Sequence, residues 1–133
     1  MPVTPVVSIV DDDESVRAAT KTLLALHGFT VRAFASAEAF LQSEDLGATR
    51  CLIADVRMPG MNGLALQGQL AAQTRPIPII FVTAYPDDRS RERALKAGAL
   101  CFLSKPFDVN TLIRFVEEAL RNGATSTDQR EGQ

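Results

Sequence analysis

Five short apolar segments recur along the chain, and the stretches between them carry apolar residues at helical spacing. The segments are Val6 to Val10, Phe29 to Phe34, Cys51 to Val56, Pro78 to Thr83 and Leu100 to Ser104. Three of them (VVSIV, CLIADV and PIIFVT) are almost continuously apolar, which is typical of strands covered on both faces of a parallel sheet. The second, FTVRAF, alternates more strongly, so we expect it at an edge of the sheet.

Helical patterns separate the predicted strands. In the first helix Val16, Ala19, Leu23 and Leu26 recur at spacings of three and four, and Gly28 ends it. Four more helices are predicted: one opening at Ser36, two over Leu64 to Gln73 and Asp87 to Ala97, and one capped by Asp108. Strand and helix therefore alternate five times, which predicts a doubly wound parallel sheet of the α/β class.

The end of the chain differs in character from the rest. After Asn122 the sequence GATSTDQREGQ has no apolar face. We therefore predict one domain over residues 1–122, followed by a disordered tail or linker over residues 123–133.

Composition and charge narrow the class of protein. Of 133 residues, 46% are hydrophobic and 23% charged, as expected for one globular domain, and the formal charge of −2 gives no electrostatic reason to expect nucleic-acid or membrane binding. No apolar run approaches the roughly 20 residues that span a bilayer, and no signal peptide is recognisable, so a cytoplasmic location is expected. Cys51 and Cys101 lie in apolar runs and are predicted to be buried structural thiols.

Polar residues stand where four of the predicted strands end. The first strand runs into the acidic residues Asp11 to Glu14, the third carries Asp55, the fourth ends at Thr83, and the fifth is followed by Lys105. Functional crevices of such sheets lie beyond the carboxyl ends of the strands. We therefore predict one pocket that holds several carboxylates, a hydroxyl and an ammonium.

This set of groups suits phosphoryl chemistry. Unit charges about 4 Å apart interact by ~4 kcal/mol at an effective dielectric near 20, so clustered carboxylates favour a divalent cation such as Mg²⁺. Asp55 is then a candidate nucleophile toward phosphorus, with Lys105 and Thr83 neutralising the transferred group. Taken singly, each residue also has a structural interpretation: helix capping, buried pairing, a strand-end hydroxyl or a surface lysine. The prediction depends on their conjunction.

With these residues placed, the chain resembles the response-regulator receiver domains of bacterial two-component systems. The resemblance covers Val6 to Leu120 and is carried by IVDDDESVR, DVRMPGMNG, FVTAY and KPF. The phrases SAEAFL, ADVRMPGMNG and KAGALCFLSKPF are most similar to the FixJ subfamily, whose members often carry a C-terminal DNA-binding domain. The resemblance implies a five-stranded parallel sheet of order 2-1-3-4-5 with five helices, the CheY-like and flavodoxin-like fold.

The resemblance also implies roles for individual residues. Asp55 would take a phosphoryl group from the phosphohistidine of a sensor histidine kinase. Asp12, Asp55 and the backbone carbonyl of Arg57 would bind Mg²⁺, and Asp11 would help through a water. Lys105 would pair with the phosphoryl group. Such a domain assists its own phosphorylation and dephosphorylation and is not a turnover enzyme.

Further residues are implied in the switch. Thr83 would move toward the phosphoryl group and Phe102 would reorient with it, which changes the face formed by the fourth helix, fifth strand and fifth helix. Pro106 would follow a cis peptide bond, and Gly63 fits a position of tight backbone. The implied partners are the kinase and, through the fourth helix and fifth strand, a second phosphorylated copy. The chain has no helix-turn-helix, so it is not expected to bind nucleic acid itself.

Two positions depart from the general pattern, and two alternatives remain open. Asp13 adds a third acid, which we assign to the start of the first helix, and Tyr85 is bulky at the mouth of the site, where it would alter water access. A haloacid-dehalogenase-type phosphatase would use Asp11, Asp13, Thr83 and Lys105 but would leave Asp55 without a role. A receiver-like module that is never phosphorylated would be expected to lack some of the acids, the threonine or the lysine.

Overall fold

Strands and helices alternate along the chain, as the apolar pattern predicts. The computed structural model describes residues 5–73 and 76–131. The strands are Val6–Val10 (β1), Thr30–Phe34 (β2), Thr49–Asp55 (β3), Ile79–Thr83 (β4) and Cys101–Ser104 (β5). The helices are Glu14–Leu26 (α1), Ala37–Leu41 (α2), Gly63–Ala71 (α3), Asp88–Lys96 (α4) and Val109–Glu131 (α5), and a 3-10 turn at Glu44–Leu46 precedes β3.

The strands form one parallel sheet in the order β2-β1-β3-β4-β5. This order confirms the doubly wound fold and places the alternating segment FTVRAF at an edge. Every residue of β1 and β4 is buried, as expected for strands covered on both faces. Strand order reverses between β1 and β3, and at such a point the flanking loops separate and leave a crevice beyond the carboxyl ends.

Apolar side chains fill both sides of the sheet. On one side α1 and α5 contribute Leu24, Leu112 and Val116 to a core cluster that includes β-strand residues. On the other side α2 and α3 contribute Phe40 and Leu66 to a second cluster. Both cysteines are buried free thiols, as predicted, and burial raises the pKa of Cys101 to about 12.

Short polar side chains fix where the helices begin. Asp13 accepts a hydrogen bond from the Val16 N–H at 3.1 Å and is the N-cap of α1, which confirms its assignment to the helix start. Ser36, Asn62 and Asp87 cap α2, α3 and α4 in the same way. The caps set the direction in which each helix leaves the carboxyl ends of the strands.

The buried face of α1 differs from the one predicted. Thr20 and Leu24 are the buried residues of the helix, whereas Leu26 is 79% exposed and Ala19 is also exposed. Both sets are spaced by three or four residues, and the sequence ATKTLLAL satisfies either one. The predicted Val16 and Leu23 are half-buried, and the polar Thr20, which the prediction did not include, is buried.

The fifth helix is longer than predicted. It continues to Glu131, past the Asn122-Gly123 pair at which we expected it to end. Glycine inside a helix costs only about 1 kcal/mol relative to alanine, and the polar residues after it have ordinary helix propensities, so neither forces a stop. The predicted boundary at residue 122 thus does not coincide with a helix end, and residues 132–133 lie outside the described part of the chain.

Candidate functional site

Three aspartates converge at the carboxyl ends of β1 and β3. Asp11 follows β1 and is 2% exposed, Asp55 ends β3 and is 7% exposed, and Asp12 is exposed. One carboxylate oxygen of each lies within 4.8 Å of those of the other two. The parallel register of β1 and β3 brings these residues together across more than forty positions of sequence, as the strand-end argument predicts.

Lys105 joins the two buried aspartates from the end of β5. Its Nζ donates hydrogen bonds to Asp11 Oδ2 and to Asp55 Oδ2, each at 2.9 Å. Burial alone lowers the pKa of this lysine, but the hydrogen bonds and negative charges of the two aspartates outweigh it, and the net shift is upward. The ammonium therefore stays charged at neutral pH, between two carboxylates that would otherwise repel each other.

Backbone amides hold the other oxygen of each buried carboxylate. Asp11 Oδ1 accepts a hydrogen bond from the Asp13 N–H at 2.9 Å, and Asp55 Oδ1 accepts one from the Arg57 N–H at 3.0 Å. Each carboxylate thus has one oxygen on a main-chain donor and one on the shared ammonium. Both side chains are oriented before any ligand arrives, which lowers the cost of reorganisation during a reaction.

The charges at this site suit a divalent cation. At formal charge, three carboxylates and one ammonium carry two net negative charges, and one oxygen of each carboxylate lies within 4.8 Å of those of the other two. Mg²⁺ prefers oxygen ligands and commonly takes one or two carboxylates while keeping several waters. The donor set of Asp11, Asp12 and Asp55 therefore fits this ion.

Thr83 ends β4, which pairs with β3, and Phe102 lies on β5, one strand further out. Both lie outside the hydrogen-bonded group of acids. Thr83 is 1% exposed, and its hydroxyl accepts a hydrogen bond from the Tyr85 N–H at 3.2 Å. Its carbonyl accepts one from the Lys105 N–H at 2.8 Å, which ties the end of β4 to the residue that contacts Asp55. Phe102 is half-buried on β5, with its ring centroid 6.3 Å from that of Phe81.

Two backbone expectations are confirmed. The Lys105–Pro106 peptide bond is cis. Gly63 begins α3 directly against β3: a Cβ there would meet the Asp55 carbonyl oxygen at a distance that side-chain carbons do not reach. Its N–H donates to the Val56 carbonyl at 3.0 Å. This close approach allows the start of α3 to pack against the strand that carries Asp55.

The mouth of the site is bordered by an arginine and an aromatic ring. The Arg57 guanidinium lies 5.8 Å from the centroid of the Tyr85 ring and 3.9 Å from an Asp87 carboxylate oxygen. Tyr85 is 70% exposed, so it stands at the surface where sequence reasoning expected a bulky residue. These contacts connect the loop after β3 to the loop after β4.

Sequence reasoning missed one contact beside the site. Glu38, in the first turn of α2, accepts a hydrogen bond from the Met61 N–H in the loop after β3. The Pro59-Gly60 pair predicts a turn there, and Gly60 does have a positive φ of 75°. No sequence pattern connects that turn with Glu38.

The geometry does not support the dehalogenase-type alternative. That chemistry needs Asp11 and Asp13 at one site, but the exposed Asp13 side chain caps α1. The group in the cluster is Asp55, which that alternative leaves unused. The acids, threonine and lysine that a never-phosphorylated module would lack are all present in the structure.

Comparison with known proteins gives one family. The family model of the response regulator receiver domain matches residues 7–117. The response regulator protein TmoT of Ectopseudomonas mendocina is 43% identical over 116 residues, which cover 87% of this chain and 53% of TmoT. The chain spans about half the length of curated relatives such as TmoT and TodT of Pseudomonas putida.

Solved structures agree with this family. A structure of the response regulator StyR superposes with a TM-score of 0.86 at 44% identity, covering 98% of this chain and 66% of that one. The crystal structure of FixJ-N gives a TM-score of 0.78 at 38% identity, covering 87% and 93%. The chain is therefore similar to receiver domains of the FixJ-like kind. Among the described residues, no helix has the length and apolarity needed to cross a membrane.

Proposed function

The chain belongs to the response regulator receiver domain family, and on this premise we propose that Asp55 is the residue that accepts the phosphoryl group. Receivers of this family are phosphorylated by sensor histidine kinases, so the donor is a kinase phosphohistidine. The N–P bond of the donor breaks, an O–P bond to an Asp55 carboxylate oxygen forms, and the histidine leaves with the electron pair of the broken bond. The domain is a phosphorylated switch and not a turnover enzyme.

The observation that carries this proposal is the lysine bridge. Asp55 is a buried strand-end carboxylate, held at 2.9 Å by an ammonium that also contacts Asp11. Once one Asp55 oxygen carries the phosphoryl group, the Lys105 ammonium can move to the negatively charged phosphoryl oxygens while keeping its contact with Asp11. The lysine thus compensates charge on the acceptor before transfer and on the phosphoryl group afterwards.

Asp12, Asp55 and the backbone carbonyl of Arg57 hold Mg²⁺ in this proposal, and Asp11 contributes through a water. Their support is the clustering of the three carboxylates and the excess negative charge at the site. When bound, Mg²⁺ supplies positive charge to the oxygens of the transferring group. The chain itself orients the acceptor through the Arg57 amide, which holds the second Asp55 oxygen.

Phosphorylation is read out through Thr83 and Phe102. The Thr83 hydroxyl, which accepts from the Tyr85 N–H, turns to donate its own hydrogen bond to a phosphoryl oxygen, and the loop after β4 follows it. Phe102 then packs inward, next to the Phe81 ring that it already contacts. The surface formed by α4, β5 and α5 changes as a result.

The altered surface acts on a partner. We propose that two phosphorylated copies associate through α4 and β5, and that the domain controls either an attached output domain or a separate protein. Support for an attached domain comes from the relatives, in which the matched residues make up only about half of the protein. Residues 123–133 would then include the connection, with the receiver ending near residue 122.

Mg²⁺-dependent labelling with acetyl phosphate tests the acceptor. We expect wild-type protein to gain one phosphoryl group, seen as a mass increase or a phosphate-affinity gel shift, and Asp55→Asn to lose it, because an amide is not a competent nucleophile here. Lys105→Met should slow labelling strongly, since the charge that stabilises the transferring group is gone.

The matched control is Asp13→Asn, which makes the same chemical change two residues from Asp11. Asp13 is an exposed helix cap, so this variant should label as wild type does. Undiminished labelling of Asp55→Asn, or loss of labelling in Asp13→Asn alone, would contradict the site.

A further inference from the structure

A carboxylate on α2 reaches the loop that leaves the acceptor strand. Glu38 Oε2 accepts a hydrogen bond from the Met61 N–H at 3.1 Å, across 23 residues of sequence. The loop covers residues 56–62, between Asp55 and the first residue of α3. Glu38, which lies outside the site, thus contacts the loop that immediately follows Asp55.

The loop is also held by the buried side chains of Val56 and Met58 and by the Val56 N–H, which donates to the Val82 carbonyl at 3.3 Å. At its start the Arg57 N–H is held by Asp55 Oδ1, and at its end the Gly63 N–H is held by the Val56 carbonyl. Within the described ranges, the bond to Glu38 is the hydrogen bond that connects residues 58–61 to another element. The Arg57 carbonyl therefore lies between two hydrogen-bonded amides. These are the Arg57 N–H, held by Asp55, and the Met61 N–H, held by Glu38.

Gly60 makes room for the glutamate. Its φ is +75°, a conformation that side-chain-bearing residues rarely adopt, and a Cβ there would lie 2.9 Å from Glu38 Oε2. The positive φ is the reason that the turn carries glycine, because Glu38 Oε2 is the end of a flexible, exposed side chain that could shift away from a Cβ. The carboxylate occupies the space that a side chain at position 60 would fill.

We propose that Glu38 is a positioning residue that fixes the Arg57 carbonyl for Mg²⁺ binding by anchoring the loop through Met61. The inference rests on the proposed function, in which this carbonyl is a metal ligand. The side-chain oxygen at position 38 accepts the Met61 hydrogen bond at 3.1 Å, and this contact fixes the loop. Glu38 holds the loop in place before the ion binds, so the ion does not have to order it.

The test separates the hydrogen bond from the charge. Glu38→Ala removes both, Glu38→Gln removes the charge but keeps a side-chain oxygen that accepts, and Glu44→Ala removes an exposed glutamate of the 3-10 turn at the opposite end of β3. Mg²⁺ affinity is measured by calorimetry without any phosphodonor, and exchange of the Met61 amide is followed by NMR without Mg²⁺. Glu38 is exposed and alanine is a good helix former, so the variant should fold.

We expect Glu38→Ala to bind Mg²⁺ about tenfold more weakly, as for other groups that orient metal ligands from outside. Its Met61 amide should exchange faster, while amides of β1 keep their wild-type rates. Glu38→Gln should stay within about twofold of wild type in affinity, because its oxygen still accepts the Met61 hydrogen bond. Glu44→Ala should match wild type in both measurements.

Three results would overturn the proposal. Wild-type Mg²⁺ affinity in Glu38→Ala would show that the loop needs no tether. Equal weakening in Glu38→Gln and Glu38→Ala would assign the effect to the charge, and equal weakening in Glu44→Ala would assign it to net charge at any distance. Failure of the proposed function looks different, because Asp55→Asn would then still be labelled whatever happens at Glu38.

Discussion

Lys105 shows how a single side chain makes a cluster of buried acids tolerable. Two carboxylates at 2% and 7% exposure would be costly if unpaired, and one ammonium at 2.9 Å from both removes that cost. The same arrangement leaves the site short of positive charge by two units when the exposed Asp12 is included. Structural pairing and readiness for a cation and a phosphoryl group therefore come from the same contacts.

Gly63 allows a specific test of packing at the acceptor. Gly63→Ala should destabilise the fold by about 1–3 kcal/mol, because the new methyl group meets the Asp55 carbonyl oxygen and the Phe81 ring. Gly68→Ala is the matched control in the same helix: no atom lies within 4 Å of its added Cβ, and it should stabilise by about 0.5–1 kcal/mol. Urea unfolding measures both, and equal effects of the same sign would contradict this account.

Sequence reasoning succeeded at residues whose positions follow from topology. Asp11, Asp55 and Lys105 could be brought together because carboxyl ends of parallel strands share one edge, whatever the side chains between them. The contact between Glu38 and Met61 could not be predicted this way. It depends on where the first turn of a five-residue helix lies relative to a loop 23 positions later, which is a product of packing rather than of periodicity.

At the scale of elements, α4 is attached to the rest of the fold by little apolar surface. Ala94 is its buried residue, and its other positions are mostly charged and exposed. A buried amide supplements this contact: Gln67 Nε2 on α3 donates to the Ala94 carbonyl at 3.0 Å. The element assigned to the switch is thus held by one small side chain and one hydrogen bond across two helices.

Gln67→Ala should loosen α4 selectively. Loss of a buried hydrogen bond costs about 1–2 kcal/mol, and amide exchange within α4 should accelerate while exchange in α1 is unchanged. Gln69→Ala, an exposed glutamine two residues further along α3, should leave both at wild-type rates. Acceleration spread evenly over the protein, or equal in the two variants, would mean that the amide stabilises the fold as a whole and does not hold α4.

The elements also show where periodicity is ambiguous. The continuous apolar strands were predicted within two residues because burial on both faces leaves no choice of face. An amphipathic helix such as α1 buries only one face, and its sequence contains two sets of small and apolar residues at helical spacing that could form that face. Tertiary packing selected Thr20 and Leu24 and left Leu26 in solvent. Similarly, a glycine and polar residues at positions 123–131 were compatible with a continued helix.

Across the whole molecule, the site and the output surface lie on adjoining elements. Thr83 ends β4, Phe102 lies in β5, and α4 connects these two strands. In the proposed switch, a change at the acceptor would reach α4 through the loop after β4, whose residue Asp87 both caps α4 and lies 3.9 Å from Arg57. These contacts give the proposed switch a short path from Asp55 to the surface formed by α4, β5 and α5.

Charge on that surface predicts how two copies would meet. The exposed basic residues of α4 are Arg89, Arg91, Arg93 and Lys96, and exposed acids at and within α5 include Asp108 and Glu117. In a two-fold symmetric dimer every basic–acidic contact occurs twice. Exposed pairs contribute about 0.2–1 kcal/mol each, so reversing one charge, which replaces two attractions by two repulsions, should weaken the dimer about tenfold.

Analytical ultracentrifugation with and without Mg²⁺ and beryllofluoride, a mimic of the acyl phosphate, measures the dimerisation affinity. Wild-type protein should change from monomer to dimer, Asp55→Asn should remain monomeric, and Arg91→Glu should need about tenfold more protein to dimerise. Adding Glu117→Arg to Arg91→Glu should recover much of the loss if the two residues face each other. Lys21→Glu makes the same charge change on the exposed face of α1 and should dimerise as wild type does. A dimer equally weakened by Lys21→Glu would reflect net charge alone, and one that forms without Asp55 would separate association from phosphorylation.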